Sequence, residues 1–537
     1  MKIQNPNLKM KNNNIKLKII LVFLIILSGI LGLVKTSLAA TIQANSCSQE
    51  DVQAAINSAN DGDTVLIPEG NCIWTKPVTI GRIVSWIPMT YESKQITIQG
   101  AGIDKTIIID EMPKTDANGT LFSVITQEGK SFRLTGFTFR GSLNNAEWYT
   151  TIGINGTSKN WRVDHLKFDH VYSRPFFIYG DTYGVIDHCE YITHNWVQFI
   201  MISHGGWGGK SYGDGSWSSP LSLGTEKAIY LEDNIFTWDA ETNAVEPVDC
   251  YGGGRFVFRY NTLNNFPIGG NHGTESSGRI RSCFSYEIYN NNLTRPVTPS
   301  QWTIFFNRGG TGVLFNNIAT GNYNTLSIGR VYRAFHSFAP WGACDGTSPY
   351  DVNDGVTYDS GIHTGSNGQR MLTSAGKNWI INQWVGYSLH NTTKNKSSII
   401  LSNTTDTITT ADDLYTSSLI FDNGDNFQIL RAYPCIDQVG RSTGNLLAGN
   451  PPSPQEWPQQ MLEPVYEWNN TINGNDADII SGSPLLVEGR DFINDTPRPG
   501  YTPFTYPHPF RTDCANYPML CDADTTPPAA PRNLTIL

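Results

Sequence analysis

The segments "WRVDHLKF" (Trp161–Phe168) and "GVIDHCEY" (Gly184–Tyr191) lie 23 residues apart and share one pattern. Each has an Asp-His pair between apolar residues, as in a short β-strand. Five further segments repeat the pattern with Gly or Asn in place of His, namely "RLTGFTF", "YLEDNIF", "FRYNTL", "IYNNNL" and "LFNNIA". Alignment of the seven segments places in one column Gly136, His165, His188, Asn234, Asn261, Asn292 and Asn317. A repeated short strand therefore runs through the middle of the chain.

The spacing of this column predicts a solenoid of stacked β-coils. Its intervals are 29, 23, 46, 27, 31 and 25 residues, with no helical pattern between the strands. Stacked coils bury their apolar residues against each other and expose strand edges only at the two ends. A β-sandwich is the alternative, but its strands recur about every 8–12 residues. The 46-residue interval contains the Gly- and Ser-rich stretch 205–224, which is either a divergent coil or an inserted loop of similar length.

The N-terminal part predicts a cap for this solenoid. In "SQEDVQAAINSAN" (Ser48–Asn60), Val52, Ile56 and Ala59 lie on one face of a short helix, and strand patterns follow. The open end of a solenoid must be covered, and an amphipathic helix can cover it.

Several of these segments resemble a known family. "DVQAAINSANDGDTVLIPEG" (Asp51–Gly70) followed by "ITIQGAG" (Ile96–Gly102) looks like the opening of the pectate lyase superfamily, and "VIDHCEY", "LEDNIF" and "GRIRSCFSYEIYNNN" resemble its later motifs. The resemblance covers about residues 46–317. It implies an all-β fold, a right-handed parallel β-helix. It also implies β-elimination on a uronic-acid polymer, with calcium neutralising the sugar carboxylate and an arginine acting as the base.

The residues that match the arginine segment of the family are Arg279 and Arg281, although the proline between the family's arginines is missing here. Binding of a carboxylate is the alternative role for these two arginines. The stretch "GGNHGTESSG" (Gly269–Gly278) adds His272 and Glu275 as a candidate acid or base, because histidine titrates near neutral pH.

Other residues are candidates for binding a metal or a sugar. Calcium prefers oxygen ligands, and the candidate ligands are Asp187, Asp233, Asp239 and Glu241. Solvated loop acids are the alternative interpretation. Sugar rings stack on aromatic side chains, so the candidate substrate contacts are Trp207, Trp217, Trp238 and Lys210. These tryptophans could instead pin loops to the solenoid. A hydrolase would need two carboxylates, one from Asp239 or Glu241 and one from Glu246 or Asp249.

The ends of the chain and the cysteines predict export. Five lysines precede the apolar run "IILVFLIILSGILGLV" (Ile19–Val34), which is typical of a secretory signal peptide. An uncleaved signal-anchor is the alternative and the only membrane contact expected. Export allows disulfides among the nine cysteines, and proximity suggests the pairs Cys47–Cys72, Cys344–Cys435 and Cys514–Cys521, with at least one thiol unpaired.

We therefore expect a signal peptide at 1–39, a parallel β-helix at 41–351, a small inserted β unit at 352–429, the β-helix end with an extended strap at 430–520, and a linker towards a fibronectin type III-like domain at 521–537. The net charge of -10 argues against a nucleic-acid partner and is compatible with an acidic polysaccharide. The main prediction is a secreted or cell-surface lyase acting on a uronic-acid polymer. A non-catalytic glycan-binding or adhesive β-helix and a glycoside hydrolase are the alternatives.

Overall fold

The computed structural model describes residues 39–521, except 87–88, 114–118, 142–148, 195–199, 241–245, 276–277, 297–301, 335, 352–355, 412–418, 432 and 454–458. Within these ranges no helix has the length and apolar character needed to cross a membrane. The predicted signal peptide and the linker beyond residue 521 lie outside the described residues.

The regular secondary structure of the described residues is mostly β-strand. The first strands are β1 (Thr41–Gln43), β2 (Thr64–Ile67), β3 (Gly70–Trp74), β4 (Val78–Ile80), β5 (Arg82–Trp86), β6 (Met89–Glu92), β7 (Ile96–Gly100), β8 (Thr106–Asp110), β9 (Thr120–Thr126), β10 (Phe132–Gly141), β11 (Thr150–Gly156), β12 (Trp161–Asp169) and β13 (Arg174–Gly180). The central strands are β14 (Gly184–Asp187), β15 (Glu190–Thr193), β16 (Ile200–Ser203), β17 (Ile229–Glu232), β18 (Ile235–Trp238), β19 (Val248–Tyr251), β20 (Arg255–Arg259), β21 (Thr262–Asn264), β22 (Gly269–Asn271), β23 (Ser285–Tyr289), β24 (Asn292–Arg295), β25 (Trp302–Asn307), β26 (Thr311–Phe315), β27 (Ile318–Gly321) and β28 (Tyr323–Gly329).

The later strands are β29 (Asp359–Ile362), β30 (Leu372–Thr373), β31 (Ser388–Asn391), β32 (Lys396–Asn403), β33 (Thr407–Thr410), β34 (Asn426–Leu430), β35 (Val465–Trp468), β36 (Thr471–Ile472), β37 (Asn475–Asp476), β38 (Ile479–Ser481) and β39 (Phe492–Ile493). The α-helices are α1 (Gln49–Ser58), α2 (Asp214–Trp217) and α3 (Pro509–Thr512), and short 3-10 turns lie at Trp207–Gly209, Ser211–Gly213 and Tyr332–Ala334.

Strands of two long sheets alternate along the chain, and each coil contains strands of both sheets. Sheet 1 has 21 strands and includes β10, β12, β14, β15, β17 and β18, whereas sheet 2 has ten strands in the order β38-β28-β25-β22-β19-β16-β13-β11-β9-β4. Each strand of sheet 2 pairs in parallel with its equivalents in the neighbouring coils, as β13 does with β11 and β16. Apolar side chains such as Ile154, Ile178 and Ile202 stack in the interior without solvent exposure. The predicted parallel β-helix is confirmed.

Each coil of sheet 1 bends at one residue in the left-handed conformation. The residues that stack at this corner are Gly136, His165, His188, Asp233, Tyr260, Asn290, Asn316 and Asn469, with φ between 49° and 78°. Glycine has no Cβ to clash there, and Asn, Asp and His tolerate this conformation better than most residues do. The recurrence of these residue types in the sequence therefore has a steric cause.

The aligned column was out of register after His188. Asn234, Asn261 and Asn317 lie one residue beyond the corner, and Asn291 takes the position that the alignment gave to Asn292. The error arose because asparagine occurs both at the corner and at the position after it. Asp187 and Asp233 therefore occupy different positions, since Asp187 pairs in register with Glu232 and Asp233 lies at the corner itself.

The position after the corner forms a buried asparagine ladder. Oδ1 of Asn261 accepts hydrogen bonds from the backbone N and Nδ2 of Asn234, at 2.9 and 3.0 Å. Its Nδ2 donates to the backbone oxygen of Leu231 at 2.9 Å and to Oδ1 of Asn291 at 3.1 Å. The same pattern continues through Asn317 to Asn470. The ladder satisfies backbone groups that the bend removes from the sheet.

Replacing Asn261 with Ala is expected to lower the free energy of unfolding by about 2–4 kcal/mol, because buried donors and acceptors on both neighbouring coils lose their partners. Asn264→Ala, at an exposed position of the adjacent strand β21, is the matched control and is expected to change stability by less than about 0.5 kcal/mol. Urea unfolding of both variants measures the difference. Equal stabilities would show that the ladder contributes nothing net.

The predicted cap is present at the N-terminal end. Helix α1 begins after Ser48, whose side chain accepts a hydrogen bond from the backbone N of Asp51. Val52 and Ile56 on its buried face are 0% and 2% exposed and join the solenoid core. The helix therefore covers the apolar interior of the first coils.

Four disulfides are formed among the described residues. Cys47–Cys72, Cys344–Cys435 and Cys514–Cys521 are the pairs that proximity suggested, and Cys250–Cys283 joins two neighbouring coils. Cys189 is a buried free thiol. Four disulfides are typical of proteins that fold in an oxidising compartment.

Two insertions leave the solenoid. Residues 204–228, between β16 and β17, hold helix α2, so the 46-residue interval contains an inserted loop and no extra coil. Between β28 and β35, strands β29 to β34 form the predicted small β unit, an antiparallel six-stranded sheet. This unit has its own apolar cluster, which includes Leu389, Phe421 and Phe427.

Residues 498–521 run along the outer face of sheet 1. Phe510 and Leu520 pack on Val185, Tyr230 and other outward residues of this face. We call this segment the strap.

Candidate active site

The outward face of sheet 2 carries a cluster of ionisable side chains. Asp249 on β19 pairs in register with Gly270 on β22. His272 directly follows β22, and Arg308 directly follows β25 in the next coil. Alternate residues of a strand point to the same side, so these positions lie side by side on the outer surface.

His272 and Asp249 form a hydrogen-bonded pair. Nε2 of His272 lies 3.1 Å from Oδ2 of Asp249, and the two side chains are 17% and 0% exposed. Burial opposes the ionisation of Asp249, but the charge and hydrogen bond of His272 and the charge of Arg308 keep its pKa below the ordinary value. The other oxygen, Oδ1, is buried without a hydrogen-bond partner among the described residues. The pair holds an imidazole at the surface against an ionised carboxylate.

The carboxylate of Glu246 packs against Gly270, where the absence of a side chain leaves room for it. A Cβ added to Gly270 would lie 3.2 Å from each carboxylate oxygen of Glu246. Burial, together with the negative charge of Asp249, raises the pKa of Glu246 to about 7. Two neighbouring carboxyl groups therefore differ in protonation at neutral pH, with Asp249 ionised and Glu246 available as a proton donor.

Arg308 supplies positive charge to this cluster. Its Nη1 lies 3.1 Å from Oε1 of Glu275, and its Nε donates to the backbone oxygen of Asn271 at 2.6 Å. Arg174, on an earlier coil, adds a second positive charge that acts on Asp249. We call Arg174, Glu246, Asp249, Gly270, His272, Glu275 and Arg308 the sheet 2 cluster.

The structure brings two of the four predicted catalytic residues into this cluster. His272 is partly exposed there, and Glu275 is 5% exposed beside Arg308. Arg279 and Arg281 lie elsewhere, in the loop before β23.

The two arginines are buried in ion pairs. Nη2 of Arg279 lies 2.5 Å from Asp214, and Arg281 bonds Asp437 through Nε and Nη2 at 2.7 and 2.6 Å. Their side chains are 3% and 0% exposed. Burial opposes the charge of Arg281, but the charges and hydrogen bonds of Asp437 and Asp214 together raise its pKa, so it stays protonated and is unsuited to take a proton. Arg279 and Arg281 therefore connect the loop before β23 to the loops that carry Asp214 and Asp437.

The predicted calcium ligands do not form one site, since Asp187 and Asp233 both lie against Arg511 and Asp239 lies at another corner. Asp187 is fully buried and bonds Arg162 through both oxygens at 2.8 Å. Asp233 bonds Arg511 of the strap, and Asp239 bonds two histidines at the far corner of its coil. Glu241 lies outside the described residues. Asp187 and Asp233 on sheet 1 therefore bind arginine side chains.

The predicted sugar-binding tryptophans are buried. Trp217 is not exposed and donates from Nε1 to the backbone oxygen of Ser282 at 3.0 Å. Trp207 is 7% exposed beneath the guanidinium of Arg255, and Trp238 is 4% exposed against Phe266. These three rings pin loops and coils, which was the alternative interpretation. Lys210 is exposed in the inserted loop.

Sequence reasoning missed Arg174, Gly270 and Arg308. Glu246 and Asp249 had been predicted only as alternatives for one of the two carboxylates of a hydrolase. Arg308 lies 36 residues after His272 along the chain, which is close to one coil with its loop. That spacing was the available signal, but using it required knowing which residues of each strand point outward.

Comparison with known proteins adds little beyond the fold. No protein-family model matches the chain, and no curated protein matches it significantly. Among solved structures, the PL6 family alginate lyase AlyGC aligns with a TM-score of 0.32 and 13% identity, over 52% of this chain and 40% of that one. An alginate lyase from Paenibacillus sp. str. FPU-7 aligns with 0.32 and 14%, over 54% and 99%. A Geobacillus virus E2 protein, ORF18, aligns with 0.24 and 10%, over 83% and 86%.

The chain is a parallel β-helix protein with a cluster of acidic, basic and histidine side chains on the outer face of sheet 2. It spans well under half the length of the first of these alginate lyases.

Proposed function

We propose that the chain cleaves a uronic-acid polysaccharide by β-elimination at the sheet 2 cluster, as an exported member of the pectate lyase superfamily. The observation that carries the proposal is the His272–Asp249 pair next to Glu246, with Arg308 and Arg174 close by. A base, a proton donor and a carboxylate-binding cation are the groups that this reaction needs.

The roles follow from the positions of the protons. In the neutral ring of His272, donation of the Nε2 hydrogen to Asp249 leaves the lone pair on Nδ1. Nδ1 takes the C5 proton of the uronate while the C4–O4 bond breaks and a C4–C5 double bond forms. Glu246, half protonated near pH 7, gives its proton to the departing O4. Arg308 neutralises the sugar carboxylate, which makes the C5 hydrogen more acidic.

Calcium is a proposed cofactor at the same place. The carboxylates that fit it are Asp249 and Glu246, because Oδ1 of Asp249 is buried without a described partner and calcium takes oxygen ligands. A cation there would supply positive charge for the sugar carboxylate. A cation and a proton would compete for Glu246, so assays with and without calcium distinguish its two roles.

Hydrolysis is the second candidate. The opposite pKa shifts of Glu246 and Asp249 are what an acid and a base on either side of a glycosidic bond require. Both reactions use the same surface, and their products differ.

The experiment is incubation of the mature protein with alginate and with pectate, with calcium or with a chelator. New ultraviolet absorbance from an unsaturated uronide supports the lyase. New reducing ends without this absorbance would establish the hydrolase instead. Binding with no new ends would leave the non-catalytic glycan-binding protein, and the proposal would be abandoned.

The raised pKa of Glu246 predicts a stability change with pH. The folded protein keeps a proton on Glu246 up to about pH 7, whereas the unfolded chain loses it above its ordinary pKa of 4.5. Stability is therefore lost as the pH rises from about 4.5 to 7. Glu246→Gln does not ionise and is expected to be more stable than the parent by about 3 kcal/mol at pH 8.

Urea unfolding at pH 5 and pH 8 measures this difference. Glu92→Gln, in an exposed ion pair with Arg82, is the control and should follow the parent at both values. If Glu246→Gln also loses stability between pH 5 and pH 8 as the parent does, Glu246 is not the group responsible.

A further inference from the structure

Three chelating side chains meet at a corner of the solenoid outside the sheet 2 cluster. His170 follows β12, His194 follows β15 and Asp239 follows β18, at the ends of equivalent strands in successive coils. Asp239 lies opposite His194, and its N donates to the oxygen of Thr193 at 3.1 Å. His170 lies opposite Thr193, one residue before His194, and its N donates to the oxygen of Ile192 at 2.8 Å.

The side chains converge as well. Nε2 of His170 lies 2.8 Å from Oδ2 of Asp239, and Nδ1 of His194 lies 3.0 Å from Oδ1. One ligand atom from each residue lies within 4.8 Å of the other two. The side chains are 33%, 49% and 35% exposed, so an ion can reach them from solvent.

A second layer of contacts holds His170 in the orientation that a metal ligand needs. Its Nδ1 lies 2.7 Å from Oδ1 of Asp169, and the other oxygen of Asp169 accepts a bond from Nε of Arg140 at 2.8 Å. A carboxylate on one ring nitrogen fixes the tautomer and directs the other nitrogen to the metal. Asp169 and Arg140 are not among the three chelating residues.

We propose that His170, His194 and Asp239 bind a divalent transition metal, with Zn²⁺ as the best match, as a clip across three coils. Two imidazole nitrogens and one carboxylate suit zinc, which leaves a fourth position for water. Calcium requires six to eight oxygen ligands and does not match this set. The proposal does not depend on the polysaccharide reaction.

The test is titration of untagged, chelator-treated protein with ZnCl₂, followed by calorimetry and thermal unfolding. One zinc per chain and a melting temperature that rises with zinc concentration are expected. His170→Asn, which keeps a residue that tolerates the left-handed backbone, and His194→Ala should each lower the affinity by at least about 100-fold. Asp169→Asn, which changes only the second layer, should lower it by about 10- to 100-fold.

His165→Asn is the matched control, since His165 is another half-exposed histidine at a left-handed corner with Nδ1 bonded to an aspartate. It should bind zinc as the parent does. Failure of the parent to bind zinc saturably, or binding that persists unchanged in both His170→Asn and His194→Ala, would overturn the proposal. Loss of polysaccharide cleavage alone has no bearing on it.

Discussion

His272→Ala is expected to lower kcat on the cleaved polysaccharide by about 100- to 10,000-fold, the contribution typical of a positioned acid or base. The proposed reaction gives the C5 proton to this ring, and the hydrogen bond of 3.1 Å to Asp249 fixes the ring for that transfer. KM should change little, because the carboxylate of the sugar is bound by Arg308. Absorbance of the unsaturated product measures the rate.

Two further variants distinguish chemistry from folding. His272→Gln keeps most of the side-chain volume and should be as inactive as His272→Ala, with a melting temperature close to that of the parent. His165→Asn, on sheet 1, should keep full activity. Retention of activity in both His272 variants would assign the base to another group.

Asp437→Asn is expected to lower the free energy of unfolding by about 3–5 kcal/mol, because it leaves the buried charge of Arg281 only partly compensated. Arg281 is fully buried and donates two hydrogen bonds to Asp437, and its Nη1 donates a further hydrogen bond to Asp214 at 3.1 Å. Asparagine tolerates the left-handed backbone at position 437, so the change tests the charge. Urea unfolding measures the effect.

Two comparisons make this prediction specific. Glu92→Gln breaks an exposed ion pair, with side chains 73% and 60% exposed, and should cost less than about 1 kcal/mol. The double variant Arg281→Met with Asp437→Asn removes both charges and should regain part of the lost stability. Equal stability of Asp437→Asn and the parent would show that burial of this pair contributes no net energy.

The loop that Asp437 holds also supports the sheet 2 cluster. The backbone N of Cys283, two residues after Arg281, donates to the oxygen of His272 at 3.1 Å. Asp437→Asn should therefore lower activity as well, through the position of His272. Arg281 therefore has a structural role near the site, whereas the sequence suggested a catalytic role.

Two of the four residues predicted to be catalytic lie in the sheet 2 cluster. His272 and Glu275 stand out because a Gly-rich loop carries titratable groups beside a strand. Arg279 and Arg281 were equally visible, but the acids that bury them, Asp214 and Asp437, lie 65 and 156 residues away from their partners. Distant ion pairs of this kind cannot be read from local patterns.

The fold could be predicted from the sequence because every coil repeats one local rule. A left-handed corner restricts each coil to a few residue types, and the next position needs a side chain that satisfies the exposed backbone groups. These requirements apply to single residues and recur once in every coil, so the sequence is periodic. Their only ambiguity was the register, because asparagine meets both requirements.

The tertiary structure alone decided which polar residues face solvent. Asp187 had looked like a metal ligand, yet Arg162 and the strap cover it, and Asp239 at the far corner meets His170 and His194. Each outcome depends on which coil, loop or terminal segment lies against the residue. Local spacing carries no information on contacts between segments that are far apart in the chain, so the sheet 2 cluster emerged only when the coils were stacked, and the burial of Asp187 only with the strap in place.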